Sequence, residues 1–413
     1  MNAVGIDVSK GKSMVAVLRP LGVVVAKPFE VSHTATELRK LTNFLKGLDG
    51  ETKVIMEHTG RYYEPVAQVI HEQGLFVSAV NPLLIKEYGG NSLRRVKTDK
   101  ADAKKIARYG LDNWAELRAY TPMNTIRYEL KTLNQQFHLA SKNRTACSNN
   151  LVALLDQSFT GVRGWFDSPP RKDGSQKWVD FAFTFWHVDC VRIINLDAFT
   201  ERYRKWCKRH GYNFRTEKAE MIHREARDMI ALIPKSATTK LLIHEAASQL
   251  LRLRLTRMVE VLRNEMNRLA AQLPEYPVVM SMYGLGESLG PQLMAEIGDI
   301  RRFTGKQSLV AFAGVDPMPN QSGMKDSRSN KSSKRGSPYL RKTLFNVMSC
   351  ILQNAPCDVP VYQFLDRKRD EGKHFYVYMT AGANKFLRIY FGRVRDYLAE
   401  SDKPARDTIP LNQ

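Results

Sequence analysis

Between residues 2 and 80 the apolar pattern changes period in an order that few folds accommodate. Residues 2–9, 13–19 and 22–31 read as three short strands, the first two joined by Lys10-Gly11-Lys12, which suits a hairpin turn. The period then lengthens, and Leu38, Leu41, Phe44 and Leu45 share one side of a helix over about 35–48. A strand at 53–57, a helix over about 61–73, a strand at 75–80 closed by Asn81-Pro82, and a helix from Asp99 to about Gly110 follow.

Four carboxylates stand at awkward places on these elements. Asp7 in VGIDVS interrupts the run Val4, Ile6, Val8, although aspartate is depleted in strands. With those three on one face, Gly5, Asp7 and Ser9 take the other, and a charge in mid-strand is rarely left unpaired. Glu57 in VIMEHTG ends a second apolar run, and Asp99 and Asp102 in KTDKADAKKIA share one helix face. Taken singly, Asp99 also suits a helix N-cap with Asp102 three residues on, and Glu57 a solvated strand end. Taken together, four converging carboxylates repel one another unless a hard divalent cation joins them, which makes Mg²⁺ the expected cofactor.

Three meandering strands followed by alternating helix and strand is the ribonuclease-H-like order of an α/β domain. In that fold, acidic residues at mid-strand one, at the end of strand four and on a late helix meet at one edge of the sheet. The chain of 413 residues carries a formal charge of +21 and a pI near 9.7, an excess that suits a polyanionic partner and makes nucleic acid the natural candidate. Its five cysteines form no CxxC pair, so neither a zinc knuckle nor a disulfide framework is indicated. Neither a signal peptide nor an apolar run of about eighteen residues appears, and the expectation is a cytoplasmic protein with no membrane partner, on the nucleoid when bound.

Past Pro122 long helical stripes begin. Ile126, Leu130, Leu133, Phe137 and Ala140 step by four and three, as do Leu251, Leu255, Met258, Leu262, Met266, Leu269 and Leu273. The two either pack on each other within one molecule or associate as a coiled coil. Residues 159–212 between them are irregular at first, then aromatic-rich and basic, and suggest no chemistry. Pro274 and Pro277 open a third region, where MYGLGESLGPQLMAEIGDIRRF places a glycine turn between two helical pieces in the manner of a helix-hairpin-helix, or of a plain helix-turn-helix in a small core. After it, MKDSRSNKSSKRGSPYLRK is dense in Ser, Lys and Arg. Lys325, Arg328, Lys331, Lys334, Arg335, Arg341 and Lys342 are the expected phosphate contacts, unless this is only a flexible basic loop.

GIDVSK, VIMEHTG with YYEPVA, VNP, KTDKADAKKIA, the stretch from GLGESLG to PNQSG, and KRGSPYLRK stand in an order that resembles the insertion-sequence transposases related to the Piv DNA invertases. The resemblance runs over nearly the whole chain and implies a RuvC-like DEDD domain (1–122), an α-helical coiled-coil region (123–273, with the insert 159–212) and a mainly α C-terminal transposase domain (274–413). It assigns the DEDD positions to Asp7, Glu57, Asp99 and Asp102, and the nucleophile to Ser322. Composition alone does not prefer Ser322 over Ser327, Ser329, Ser332 or Ser333. It further implies Mg²⁺-dependent strand exchange through a phosphoserine link, a structured guide RNA bridging element and target DNA, and a homo-oligomer, dimer or tetramer. A RuvC-type nuclease would use the same carboxylates with water in place of serine. A non-catalytic nucleic-acid-binding protein would need no metal. An actin-like sugar kinase would need a second glycine-rich phosphate loop, which is not found, and suits +21 poorly.

Overall fold

The computed structural model describes residues 1–402 apart from 59, 61, 89–97, 253–254, 318–320, 323–324, 327–331 and 335, with the backbone alone at 252, 321–322 and 325–326. It divides into two compact units, Met1–Pro122 and Met123–Gln413.

The first unit is a five-stranded sheet between two helical layers. Its strands are β1 (Asn2–Val8), β2 (Lys12–Arg19), β3 (Val23–Ser32), β4 (Thr52–Glu57) and β5 (Phe76–Val80), in the order β3-β2-β1-β4-β5. β1, β2 and β3 form an antiparallel meander, whereas β1, β4 and β5 run parallel. This is the expected ribonuclease-H-like arrangement. Its helices are α1 (Ala35–Lys46), α2 (Tyr63–Glu72), α3 (Pro82–Glu87) and α4 (Asp99–Asp112). Strand alternation sends Val4, Ile6, Val54 and Met56 against Leu38, Leu41 and Leu45 of α1 and Val66 and Ile70 of α2. The opposite face carries Ala3 and Ile55 against Ile85 of α3 and Ile106 and Ala107 of α4. Burial on both faces explains why the middle of β4 reads as an unbroken apolar run. Ile6, Ile55 and Met56 are fully buried, each contributing about 1.5–3 kcal/mol.

Asn81-Pro82 closes β5 as expected, and no apolar period marks the short helix α3 that follows. The same pair starts a helix: the Asn81 side chain accepts from the Leu83 N–H at 3.0 Å, and Pro82 fills a first-turn position that needs no donor.

The second unit is helical: α5 (Thr125–Ser158), α6 (Lys177–Thr184), α7 (Asp189–Arg192), α8 (Leu196–His210), α9 (Thr216–Asp228), α10 (Ala237–Arg252), α11 (Leu255–Ala270), α12 (Tyr276–Met280), α13 (Leu289–Ile297), α14 (Lys306–Ala313), α15 (Pro338–Asn354), α16 (Pro360–Asp370) and α17 (Phe375–Ser401), with a two-residue ladder of β6 (Gln321–Ser322) and β7 (Lys325–Asp326). α5 packs along α10 and α11 of the same chain, the intramolecular alternative for the two apolar stripes. Two cores form. Leu130, Met266 and Leu269 join Val279, Leu293, Leu344 and Phe386 in one, and Phe159, Trp165, Phe181, Phe185, Tyr203 and Trp206 centre the other. The 159–212 segment is therefore largely helical beyond residue 176, with its aromatic residues in the second core. Arg127 of α5 and Glu275 form a buried ion pair at 2.5 Å, satisfied by two hydrogen bonds. No described helix is long and apolar enough to cross a membrane.

Candidate functional site

Strand register brings the first two carboxylates side by side. Ile6 of β1 pairs with Met56 of β4, so the next residues on these parallel strands are Asp7 and Glu57, on the face that α4 covers. Neighbouring strands lie about 4.8 Å apart. α4 seats directly on the strands because two glycines leave room for it. A Cβ at Gly5 would fall 2.1 Å from the Ala103 carbonyl oxygen and 2.4 Å from the Ala107 nitrogen, and one at Gly110 would meet Ile55 Cδ1 at 2.4 Å. The first turn of α4, one turn before Ala103, carries Asp99 and Asp102. Its cap is Thr98, whose hydroxyl accepts from the Ala101 N–H at 3.2 Å, so the capping alternative for Asp99 does not hold. Carboxylates in this turn also face the positive end of the helix dipole.

The electrostatics couple three of the four. The Glu57 carboxyl is pushed above its ordinary value, first by burial and then by the charges of Asp7 and Asp102, with Lys105 on the next turn of α4 opposing the shift. Asp99 acts elsewhere. It adds, behind the hydrogen bond and charge of Glu30, to the forces that raise the Lys12 ammonium at the β1–β2 hairpin. Oxygen donors that repel one another suit a hard divalent cation such as Mg²⁺ by type and charge. Among the described residues no three Asp, Glu, His or Cys side chains stand within joint reach of one ion.

In the second unit a glycine turn separates two helical pieces, α12 and α13, which are joined through Gly284 at φ 84°, where an added Cβ would press on Ile351 at 2.9 Å. Between α14 and α15 the chain forms a hairpin in which Ser322 pairs with Lys325. Its neck is closed by the Pro317–Ser332 bridge, by the Ser333 N–H to the Asp316 carbonyl at 3.0 Å, and by the Ser333 hydroxyl to the Asp316 carboxylate. The base is braced from below. Glu296 of α13 accepts from the Ser337 hydroxyl at 2.6 Å and from Asn134 of α5 at 2.7 Å, and Ser337 caps α15 through the Leu340 N–H.

The expected phosphate contacts divide accordingly. Lys334 and Lys342 are exposed. Arg341 is turned inward, donating to the carbonyls of Gly336 at 2.7 Å and Ala313 at 3.3 Å, so its Nη1 braces the hairpin instead of facing solvent. The reason is its place in the first turn of α15, facing the end of α14. Arg328, Lys331 and Arg335 lie outside the described residues, and Lys325 is described by its backbone only. The sequence reading missed Gly5, Gly110, Lys105 and the Glu296 brace. Of these, a glycine inside a strand and one inside a helix were the available signals for close packing.

Residues 4–160 match a family described as "Transposase", and residues 276–361 match the "Transposase IS116/IS110/IS902 family". The chain is 22% identical over 344 residues to the pilin gene-inverting protein of Moraxella bovis, covering 83% of this chain and 80% of that one. It is 23% identical to the insertion element IS110 uncharacterized 43.6 kDa protein of Streptomyces coelicolor, covering 97% and 96%. Among solved structures, T. thermophilus RuvC in complex with a Holliday junction substrate aligns at 16% identity with a TM-score of 0.23, covering 28% of this chain and 96% of that one. The first match holds the carboxylates and the second the serine hairpin, and the chain carries two transposase-family domains, the second that of the IS116/IS110/IS902 family.

Proposed function

We propose that this transposase cuts and rejoins DNA through a covalent serine link, using the carboxylates of its first unit and Ser322 of its second. The observation that carries the reading is the coupling of Glu57 to Asp7 and Asp102 on the α4 face of the sheet, a concentration of negative charge beside a strand end. Asp7, Glu57 and Asp102, with Asp99 at the same helix start, are the residues that would hold Mg²⁺, which would have to draw at least three of them within joint reach. Bound there, the ion would offset their repulsion and polarise a scissile phosphodiester. The Ser322 hydroxyl attacks phosphorus, an Oγ–P bond forms, the bond to one sugar oxygen breaks, and that oxygen leaves with a proton. Attack on the phosphoserine by a second strand end reverses the exchange and releases the serine. Keeping the phosphodiester bond in the link makes the outcome recombination rather than hydrolysis.

Exposed Lys334 and Lys342 hold DNA phosphates beside the hairpin. A structured RNA from the element is the proposed guide, and a homo-oligomer the proposed working form. The test is strand cleavage of element-junction DNA across a Mg²⁺ titration, with Asp7→Asn and Ser322→Ala proteins alongside wild type. Cleavage that needs Mg²⁺, Asp7 and Ser322 together supports the reading. Cleavage that survives Ser322→Ala identifies a water-using nuclease, and metal-independent binding without cleavage identifies a non-catalytic protein.

A further inference from the structure

The segment between α5 and α11 folds around its own aromatic core and carries a groove along one face. Three adjoining clefts share lining residues. The first lies between Arg144 and Asn149 of α5 on one side and Arg163 and Gln176 on the other. The second runs from Arg163 and Gln176 to Ser168, and the third from Ser168 to Lys177 and Tyr212. Asp167 is the one carboxylate among their lining residues.

Cations follow the groove without ion pairs among the described residues, with Asp173, held on Ser175, as the nearby charge that Arg171 feels. The ion pairs of this segment lie elsewhere, as at Arg192–Asp189, Arg204–Glu201 and Lys205–Glu201. Among the described residues none includes Arg144, Arg163, Arg171, Lys177, Arg215 or Lys218. The Lys177 ammonium sits below its ordinary value, mainly through burial, with Lys218, Arg215 and Arg171 adding repulsion. Two of these cations also have structural duties. Arg171 donates to the carbonyls of His210 at 2.7 Å and Gly211 at 2.6 Å, which closes the end of α8, and Lys177 donates to the Asn213 carbonyl at 3.3 Å. The Arg144 and Arg163 side chains have no hydrogen bond among the described residues, and Arg163 is exposed beside the Trp178 ring. No open aromatic platform accompanies them, because Trp178 is buried and Tyr212 is covered by Arg171 on one side and Trp206 on the other.

A polar, cationic track without a stacking face suits repeated phosphates and cannot distinguish bases. We infer that this groove binds the sugar-phosphate backbone of nucleic acid without reading sequence, a contact surface separate from the serine hairpin. The inference rests on the nucleic-acid reading proposed above, and it gives the insert a role: added grip on the substrate or guide.

The test uses the full chain in EDTA, with fluorescence anisotropy over a salt series on matched lengths of duplex DNA, duplex RNA and single-stranded RNA. The Arg144→Gln/Arg163→Gln/Lys177→Gln protein is compared with Arg227→Gln/Lys235→Gln/Lys240→Gln, which removes the same charge from the same segment outside the groove. Removing one cation from a phosphate lowers the log-log salt slope by about 0.9 on a duplex and about 0.7 on a single strand. The groove variant is expected to show a slope smaller by about 2–3 on at least one probe and the control a change of less than about 1, and the probe that responds most names the source of the phosphates. Equal slopes for the two variants on every probe, with wild type binding normally, overturn the inference and leave the transposase reading intact. Failure of wild type to bind any probe overturns both. If the triple variant has a lowered Tm, the Arg144→Gln/Arg163→Gln protein, which keeps the Lys177 hydrogen bond, replaces it with an expected slope change of about 1.5–2.

Discussion

Gly5 of β1 lies so close beneath Ala103 of α4 that a Cβ there would stand 2.1 Å from the Ala103 carbonyl oxygen. The contact is backbone against strand, with no flexible side chain to give way. It fixes where the first turn of α4, with Asp102, meets Asp7 and Glu57. Gly5→Ala is therefore expected to cost about 1–3 kcal/mol by overpacking, read as a fall in Tm. It should also reduce metal-dependent strand cleavage further than the stability loss explains, because the carboxylates are displaced. Exposed Gly74→Ala, which meets nothing within 4 Å but sits at φ 78°, tests the alternative that any strained glycine has the same effect on cleavage.

The raised Glu57 carboxyl makes stability depend on pH, and the proposed Mg²⁺ site adds an expected dependence on metal. The folded-state pKa of Glu57 lies above its ordinary value, so the folded chain holds that proton more tightly than the unfolded one. Its penalty on folding is absent below the unfolded value of about 4.3 and grows as pH rises through the window up to the raised value. In EDTA, Glu57→Gln is expected to flatten this part of the Tm-against-pH curve and to raise Tm at neutral pH. Mg²⁺ at about a hundred times its Kd should stabilise wild type by about 2.7 kcal/mol and the variant by less, measured by thermal melts. A wild-type Tm indifferent to Mg²⁺ would count against the metal site.

The fold of the first unit was readable because period, turns and double-sided burial all agreed along residues 2–80. Asp99 was not, since Thr98 and Asp99 are both good caps and only the helix start decides between them. The helices α6 to α9 escaped notice for a different reason. α6 and α7 are short, and the apolar residues of all four point into a shared core instead of forming one long stripe. Arg341 looked like its basic neighbours and differs by facing two backbone carbonyls. Ser322 was distinguishable from the other serines of its loop only through the family resemblance, because nothing local in a Ser/Lys/Arg loop marks a nucleophile.

Glu296 supports the serine hairpin from within the core. Buried at 6% exposure, it receives hydrogen bonds from Ser337 and Asn134. Glu296→Ala leaves both donors without their partner, at about 1.5–3 kcal/mol for a hydrogen bond to a charged group. DNA affinity should change little while formation of the serine link falls, since the variant loosens the hairpin base and leaves the exposed lysines in place. Affinity and cleavage falling together would instead indicate general unfolding, which circular dichroism would reveal.

If the carboxylates of one subunit act with Ser322 of another, Asp7→Ala and Ser322→Ala proteins, each inactive alone, should recover activity when mixed. Equal amounts pair at random to give about half mixed dimers with one intact site of two, so about a quarter of the wild-type level is the ceiling. No recovery after verified subunit exchange would mean that each chain completes its own site.

The central claim is tested most directly by denaturing electrophoresis of the protein incubated with end-labelled element-junction DNA and Mg²⁺. The expected result is a labelled band at the mass of protein plus DNA strand, lost in Ser322→Ala, in Asp7→Asn and in EDTA, with its attachment mapped to Ser322 by peptide mass analysis. Cleaved DNA with no protein-linked species, at equal yield from Ser322→Ala and wild type, would contradict it.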